Sequence, residues 1–288
     1  MKLVSVIIPC HNYGRYLYEC VGSIVGQFYK NIEVIIVNSG STDNTKIIAE
    51  GLQKEYKNVR LLNIADSGGP SIPRNIGIEN SNGDYIVCLD SDDKVSENYV
   101  SESVRLLEAN AGYSICYSNL KHFGNMDSYI INEQHNNENI VRTNYIPVAA
   151  LYKRECWCDT GGYRENVGGY EDWDFWVNCY LKGHLHIYSS RSVFYYRRHS
   201  DAMLWDCVKE DIALKAKIIL NNSTIFSKLQ IDWARAVVNP KNRQINIYDP
   251  GLGLIPLTQE LILNNKEKIK CNQSEFMRMI AHNVENMS

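Results

Sequence analysis

Three carboxylates within four residues, Asp90, Asp92 and Asp93, close the apolar run Tyr85-Ile86-Val87-Cys88-Leu89. A strand buried on both faces reads as a continuous apolar run, and in open α/β sheets ligands sit beyond the carboxyl ends of such strands. Carboxylates packed this closely repel one another, and a divalent cation removes that cost while offering a landing site for phosphate oxygens. The Asp-x-Asp spacing is therefore a candidate metal and diphosphate site. A solvated turn in which Ser91 and Ser96 cap a helix accounts for the same residues. A second acidic point, Glu171-Asp172-Trp173-Asp174, opens a segment of helical pattern that runs to about Leu181, with Gly183 as its stop. Acidic residues in a first turn favour the helix dipole, so a structural role stands beside a functional one there.

The elements that must position these residues come in a regular order. Leu3 to Ile8 is a β-branched run stopped by Pro9, which predicts a buried strand whose last turn faces a ligand. The loop Cys10-His11-Asn12-Tyr13-Gly14 follows, then Leu17, Cys20, Val21, Ile24 and Val25 at helical spacing as far as Gln27. Glu33 to Val37 predicts a second strand, after which Ser41 is placed to cap a helix carrying Ile47, Ile48 and Leu52. A third strand is expected at Val59 to Leu62. The stretch from Ser67 to Asn75 has the composition of a phosphate cradle, yet it matches neither the Walker pattern nor the dinucleotide fingerprint, and a capped surface turn explains it too. Strands separated by helical patterns argue for a parallel, doubly wound sheet with right-handed crossovers.

Beyond Asp93, Ser96 is expected to cap a helix bearing Val100, Val104 and Leu107, and Tyr113 to Ser118 reads as a strand. Asn132 to Asn139 is almost wholly polar and reads as a mobile surface loop. Strand residues Val193 to Tyr196 lead to Arg197-Arg198-His199. After them come helical patterns (Val208 to Ile219, then Leu261-Ile262, then Phe276 to Ile280) and a turn around Asp249-Pro250-Gly251.

Composition bounds the remaining choices. Of 288 residues, 44% are hydrophobic and 22% charged, enough for one large α/β domain with an appendage or for two small domains. The net charge of −3 carries no electrostatic footprint for nucleic acid. Nine scattered cysteines, several inside apolar runs, read as small reduced core residues of a cytosolic chain. Cys156-Trp157-Cys158 has one intervening residue where structural zinc sites use two to four. The N-terminal apolar run is too short for a signal peptide, and no stretch has the eighteen or so apolar residues of a membrane span.

Taken in order, Ser5-Val6-Ile7-Ile8-Pro9, Gln27, Glu33 to Val37 with Gly40-Ser41-Thr42-Asp43, Arg74-Asn75-Ile76-Gly77, Gly83-Asp84-Tyr85, Leu89 to Asp93 and Glu171-Asp172-Trp173 resemble the family 2 glycosyltransferases of GT-A fold. The resemblance covers residues 3 to 200. It implies a GT-A sheet, doubly wound and mainly parallel, as a nucleotide-sugar-binding and catalytic domain over 1–200. A helical C-terminal region over 201–288 is then left for the acceptor side or an oligomer contact. It further implies an inverting, metal-dependent transferase that moves a sugar from a nucleotide diphosphate-sugar to an acceptor hydroxyl. Carried over by residue, Pro9, His11 and Ser39 meet the base, and Arg74 the base or diphosphate. Asp90, Ser91 and Asp92 meet the ribose and diphosphate, while Asp92 and His199 hold Mg²⁺ or Mn²⁺. Asp172, with Glu171 beside it, matches the catalytic base.

The family's usual setting implies bacterial surface-polysaccharide assembly, a glycan or lipid-linked glycan acceptor and no nucleic-acid partner. The protein would then be cytoplasmic, at the inner face of the membrane, with room for peripheral membrane association and a homo-oligomer. One departure stands out. Two aspartates usual after the second strand are here Asn38 and Ser39, so a uridine nucleotide is the first expectation while the base stays open. A sugar-nucleotide nucleotidyltransferase would want a glycine-rich basic loop after the first strand, which Pro9 to Arg15 does not supply. A non-catalytic nucleotide-sugar-binding module would not need to retain Asp90, Asp92 and Asp172.

Overall fold

A computed structural model of the chain describes residues 1–199 and 210–238. The strands β1 (Val4–Cys10), β2 (Ile32–Ser39), β3 (Val59–Ile64) and β4 (Tyr85–Cys88) lie side by side in the order β3-β2-β1-β4, all parallel. Every residue of β1 and of β4 is buried, as continuous apolar runs require of strands covered on both faces. The crossovers carry α1 (Gly14–Val25), α2 (Thr45–Glu55) and α3 (Ser71–Glu79). The expected doubly wound, mainly parallel α/β sheet is present.

The second half of the sheet is mixed. β5 (Lys94–Val95), α4 (Tyr99–Ala109), β6 (Ile115–Gly124), β7 (Ser128–Ile130), β8 (Leu151–Lys153), α5 (Arg154–Thr160), α6 (Glu171–Leu181) and β9 (His186–Arg198) follow in chain order. The sheet continues from β4 through β8, β6 and β9 to β5, with β7 paired on β6. β8 is antiparallel to both β4 and β6, β5 is antiparallel to β9, and β6 and β9 run parallel. The β6–β9 register breaks once. Ser118 faces Ser189 but Asn119 faces Val193, so Ser190, Arg191 and Ser192 bulge out of the ladder.

Two of the expected helix caps are not where the sequence placed them. α2 begins at Thr45 and α4 at Tyr99, behind Asn44 and Asn98. The Ser41 hydroxyl instead accepts the Asn12 N–H, and the Ser96 hydroxyl accepts the Val193 N–H. Each serine hydroxyl ties its loop to a distant segment, and that of Ser96 also donates to Asn98 Oδ1 just before α4. The polar run at Asn132–Asn139, expected to be mobile, is tied to β6 and β9 by the bonds described below.

The described residues divide into two compact units, one of 1–140 with 144–199, the other of 141–143 with 210–238. The second unit contains α7 (Asp211–Asn221) and α8 (Lys228–Val238), which pack on one another with Leu214, Ile218, Ile219 and Trp233 buried. The patterns expected at Leu261-Ile262 and Phe276–Ile280, the turn at Asp249–Gly251 and most of the 201–288 region lie outside the described residues. No helix among the described residues is long and apolar enough to cross a membrane. The seven described cysteines are free and all but Cys158 are buried.

Candidate functional site

Arg74 joins the two acidic points. α3 rests so closely on β1 that a Cβ at Gly77 would lie 2.3 Å from the Ile7 Cγ2 atom, and that approach sets Arg74 beneath the end of β4. Its guanidinium donates from Nη2 to Asp90 Oδ1 at 2.7 Å and from Nη1 to Glu171 Oε1 at 2.5 Å. Arg74 is 2% exposed and its Nε has no partner. Glu171 is also buried, and its second oxygen accepts the Gly169 N–H at 2.6 Å. Both Glu171 oxygens are thus in charge-assisted bonds, which leaves it a clamp on Arg74 rather than a free proton acceptor.

Its neighbour Asp172 is differently placed. Oδ1 accepts the Trp173 N–H at 2.7 Å and Oδ2 accepts the Asn144 amide at 3.2 Å. Burial and the adjacent Glu171 charge push its carboxyl up to about 7, against the pull of Arg74 and the two hydrogen bonds. A carboxylate so poised can take a proton near neutral pH. The Trp173 indole anchors the start of α6 by donating to Ile140 O at 2.7 Å.

Asp92 and His199 meet at the other side of Asp90. The His199 Nε2 lies 2.9 Å from Asp92 Oδ2, its ring packs against those of Tyr13 and Tyr16, which stack on one another, and its Nδ1 is buried without a partner. Burial, then Asp90, hold Asp92 above the ordinary carboxylate range. Burial, then Asp92, do the same more strongly to Asp93, whose Oδ2 also lacks a partner. Arg197 fixes this corner by donating from Nε to Asp92 O, from its backbone N–H to Asp93 Oδ1, and from Nη2 to Glu19. Ser91 is buried beneath the turn.

The ends of β1 and β2 lie beside one another, with Pro9 facing Val37 in register. His11 Nδ1 lies 2.5 Å from Ser39 O and 3.9 Å from Asp66 Oδ1. Asn12 bridges the two loops from a left-handed backbone (φ 58°), its Oδ1 accepting the Thr42 and Asp43 N–H groups. The Ser39 hydroxyl, buried, bonds with Ser67 Oγ at 2.9 Å and accepts the Ser67 N–H at 3.1 Å. Asn38 donates to Asn63 Oδ1 while its own Oδ1 has no partner. Pro9, His11 and Ser39 therefore share one end of the sheet. Arg74, Asp90, Asp92, His199, Glu171 and Asp172 form the chain of contacts next along it.

The sequence profile of the family described as Glycosyl transferase family 2 matches residues 5–167, more than half of the chain. The chain belongs to glycosyl transferase family 2. Within that family, residues of this chain are 43% identical over 99 positions to glycosyltransferase GlyG of Streptococcus pneumoniae serotype 4, covering 34% of this chain and 33% of GlyG. They are 44% identical over 92 positions to the uncharacterized glycosyltransferase YibD of Escherichia coli K12, covering 32% and 26%. The match spans a third or less of both relatives.

Among solved structures, S. aureus TarS 1-349 in complex with UDP-GlcNAc superposes with a TM-score of 0.64 at 21% identity, covering 82% of this chain and 71% of that one. The mannosyltransferase PcManGT from Pyrobaculum calidifontis, in complex with GDP-Man and Mn²⁺, gives 0.60 at 16% identity, covering 99% and 80%. At these identities the likeness is one of fold. This family 2 chain has the GT-A fold.

Sequence reasoning missed Asn144, Arg197, Tyr13, Tyr16 and Ser67. Each acts through a contact between segments remote in sequence. Only the Arg197-Arg198-His199 run, basic residues at the end of a strand, could have drawn attention to Arg197.

Proposed function

We propose that this chain is an inverting glycosyltransferase that moves a sugar from a nucleotide diphosphate-sugar to an acceptor hydroxyl. The observation that carries the reading is the Arg74 bridge. It sets the carboxyl end of β4, where a diphosphate would lie, beside the start of α6, where a raised carboxyl waits. Asp172 accepts the acceptor hydroxyl's proton as its oxygen bonds to the anomeric carbon, and the carbon–oxygen bond to the diphosphate breaks with its electron pair leaving on the nucleotide. Glu171 and Arg74 hold Asp172 and Asp90 in a fixed relation, and the β1 and β2 ends with His11 and Ser39 receive the base. The domain of 1–200 does this chemistry, and the 201–288 region serves the acceptor side or an oligomer contact. The setting is bacterial surface-polysaccharide assembly at the inner face of the membrane, with a glycan or lipid-linked glycan as acceptor.

The donor set fits a divalent cation. Asp92 is a carboxylate raised by burial and then by the Asp90 charge, His199 has an unpartnered buried nitrogen, and the two side chains already touch. No group of three or more His, Cys, Asp or Glu among the described residues forms a closed cage. Two protein ligands suit an ion whose other ligands are water and substrate phosphate oxygens. Mg²⁺ or Mn²⁺ held by Asp92 and His199 would supply Lewis-acid stabilisation to the leaving diphosphate.

The enzymatic test is release of nucleoside diphosphate from UDP-N-acetylglucosamine and GDP-mannose, with and without Mn²⁺. Pyrophosphate release instead would mark a nucleotidyltransferase, and no turnover of any sugar nucleotide would mark a binding module.

The cation assignment predicts a binding result. Uridine diphosphate with Mn²⁺ should raise the Tm of the wild type, and the gain should vanish with chelator or in Asp92→Ala. A gain of equal size with and without metal would remove Asp92 from the role.

Ser39 sets a second expectation. An aspartate at this position could accept a uracil imide proton in a bond to a charged group, worth roughly 1.5–3 kcal/mol or about ten- to over a hundred-fold in affinity. The serine hydroxyl is instead shared with Ser67. Wild type should therefore discriminate among the diphosphates of uridine, thymidine, guanosine and cytidine by less than about a hundred-fold, and Ser39→Asp should sharpen the preference for uridine. Calorimetric titration at saturating Mn²⁺ checks both, and a stronger uridine preference in the wild type would show that other groups replace the aspartate.

A further inference from the structure

The asparagine-rich run after β7 is bonded almost residue by residue to the sheet. Asn132 donates from Nδ2 to Ser118 O and from its N–H to Asn119 Oδ1. Gln134 brackets β9, donating from Nε2 to His186 O while its Oε1 accepts the Tyr188 N–H. The His135 N–H donates to the Tyr117 hydroxyl, and Asn137 Oδ1 accepts the His186 N–H at 2.6 Å. Further on, the Tyr145 hydroxyl lies 2.7 Å from His186 Nε2, and its ring packs 4.1 Å from that of His135 and 5.7 Å from that of Tyr117. Burial lowers His186 to about 4, so above that value it is neutral and its Nε2 can accept from Tyr145. The residue before Tyr145 is Asn144, whose amide reaches Asp172 Oδ2.

We propose that Asn144 is a positioning residue for Asp172, delivered by the anchored Tyr145 and setting both the plane of that carboxylate and the pH at which it ionises. The inference rests on the reading of Asp172 as the base. The Trp173 N–H and the Asn144 amide address different oxygens of Asp172, so together they fix its plane. The charged groups facing Asp172 are Glu171 from its own helix, which opposes ionisation, and Arg74 from α3, which favours it. Asn144 adds an uncharged donor, and a hydrogen bond to the ionised form favours that form. Asn144 itself is exposed, so its replacement leaves the core intact.

The test is a carboxyl-carbon NMR titration of the whole chain, with the Asp172 resonance assigned by its loss in Asp172→Asn. In Asn144→Ala the Asp172 midpoint should move up by about half to one pH unit, and in Asn144→Asp, which places a like charge there, by more. Asn144→Ser, which keeps a donor, should recover part of the shift. Midpoints unchanged in both Asn144→Ala and Asn144→Asp would overturn the inference. Failure of the base reading shows separately, as donor turnover retained in Asp172→Asn.

Discussion

Asp172→Asn should lower sugar transfer by about a hundred-fold or more while leaving nucleotide affinity little changed. The amide keeps the shape of the carboxylate and its hydrogen bond from the Trp173 N–H, but it cannot take a proton. In the wild type the acid limb of kcat/KM should fall near the value of about 7 to which burial and Glu171 push Asp172, because only the ionised form works as a base. Near-normal turnover in the variant would shift the role to another group. The same residue makes a stability claim. A raised carboxyl means that the folded chain binds this proton more tightly than the unfolded chain. That contribution is complete below the ordinary carboxylate value of about 4 and is lost as pH rises to about 7. Asp172→Asn should therefore melt above wild type at pH 8, and the gap should close by pH 4.

Removal of the guanidinium at Arg74 should be the most damaging single change to the fold in this region. Arg74→Met leaves Glu171 buried with its charge unmatched, and breaking one side of a buried pair costs about 3–5 kcal/mol. Urea unfolding should show a loss of that order. The double variant Arg74→Met with Glu171→Gln should regain much of it, since replacing both members of a buried pair is often close to neutral. Activity should stay lost in both, because Asp90 and the start of α6 are no longer tied together. A single variant within about 1 kcal/mol of wild type would mean that Glu171 finds another partner or takes up a proton.

The parallel half of the sheet was legible because burial on both faces writes itself as uninterrupted apolar residues. Val6–Ile8, Val34–Val37 and Tyr85–Leu89 are such runs, and all are buried. The mixed half was not. β8 has three residues, too few for any period, and its neighbours in the sheet lie on strands remote in the chain. The carboxylates announced themselves by their abrupt charge, whereas Arg74 became a site residue only through the ordered set of motifs around it. Asn144 gave no signal. It lies just beyond a polar run whose composition is that of a solvated loop, and its partner is on another element. Ser41 and Ser96 show the limit of local capping rules, since each hydroxyl found a distant N–H in preference to its own helix.

The bulge at Ser190–Ser192 also bears on how relatives of this chain can gain and lose residues. Side chains alternate along a strand, so one added residue turns every later side chain to the opposite face. In β9 the three looped-out residues separate two stretches of ladder, one ending at Ser189 and the other starting at Val193. A residue gained within the bulge is taken up there, and both stretches keep their phase. A residue gained after Val193 would reverse Phe194 to Arg197 and draw Arg197 and His199 away from Asp92. Length variation in this strand is thus permitted at one place, and the segment leading to His199 stays in step with β5 and β6.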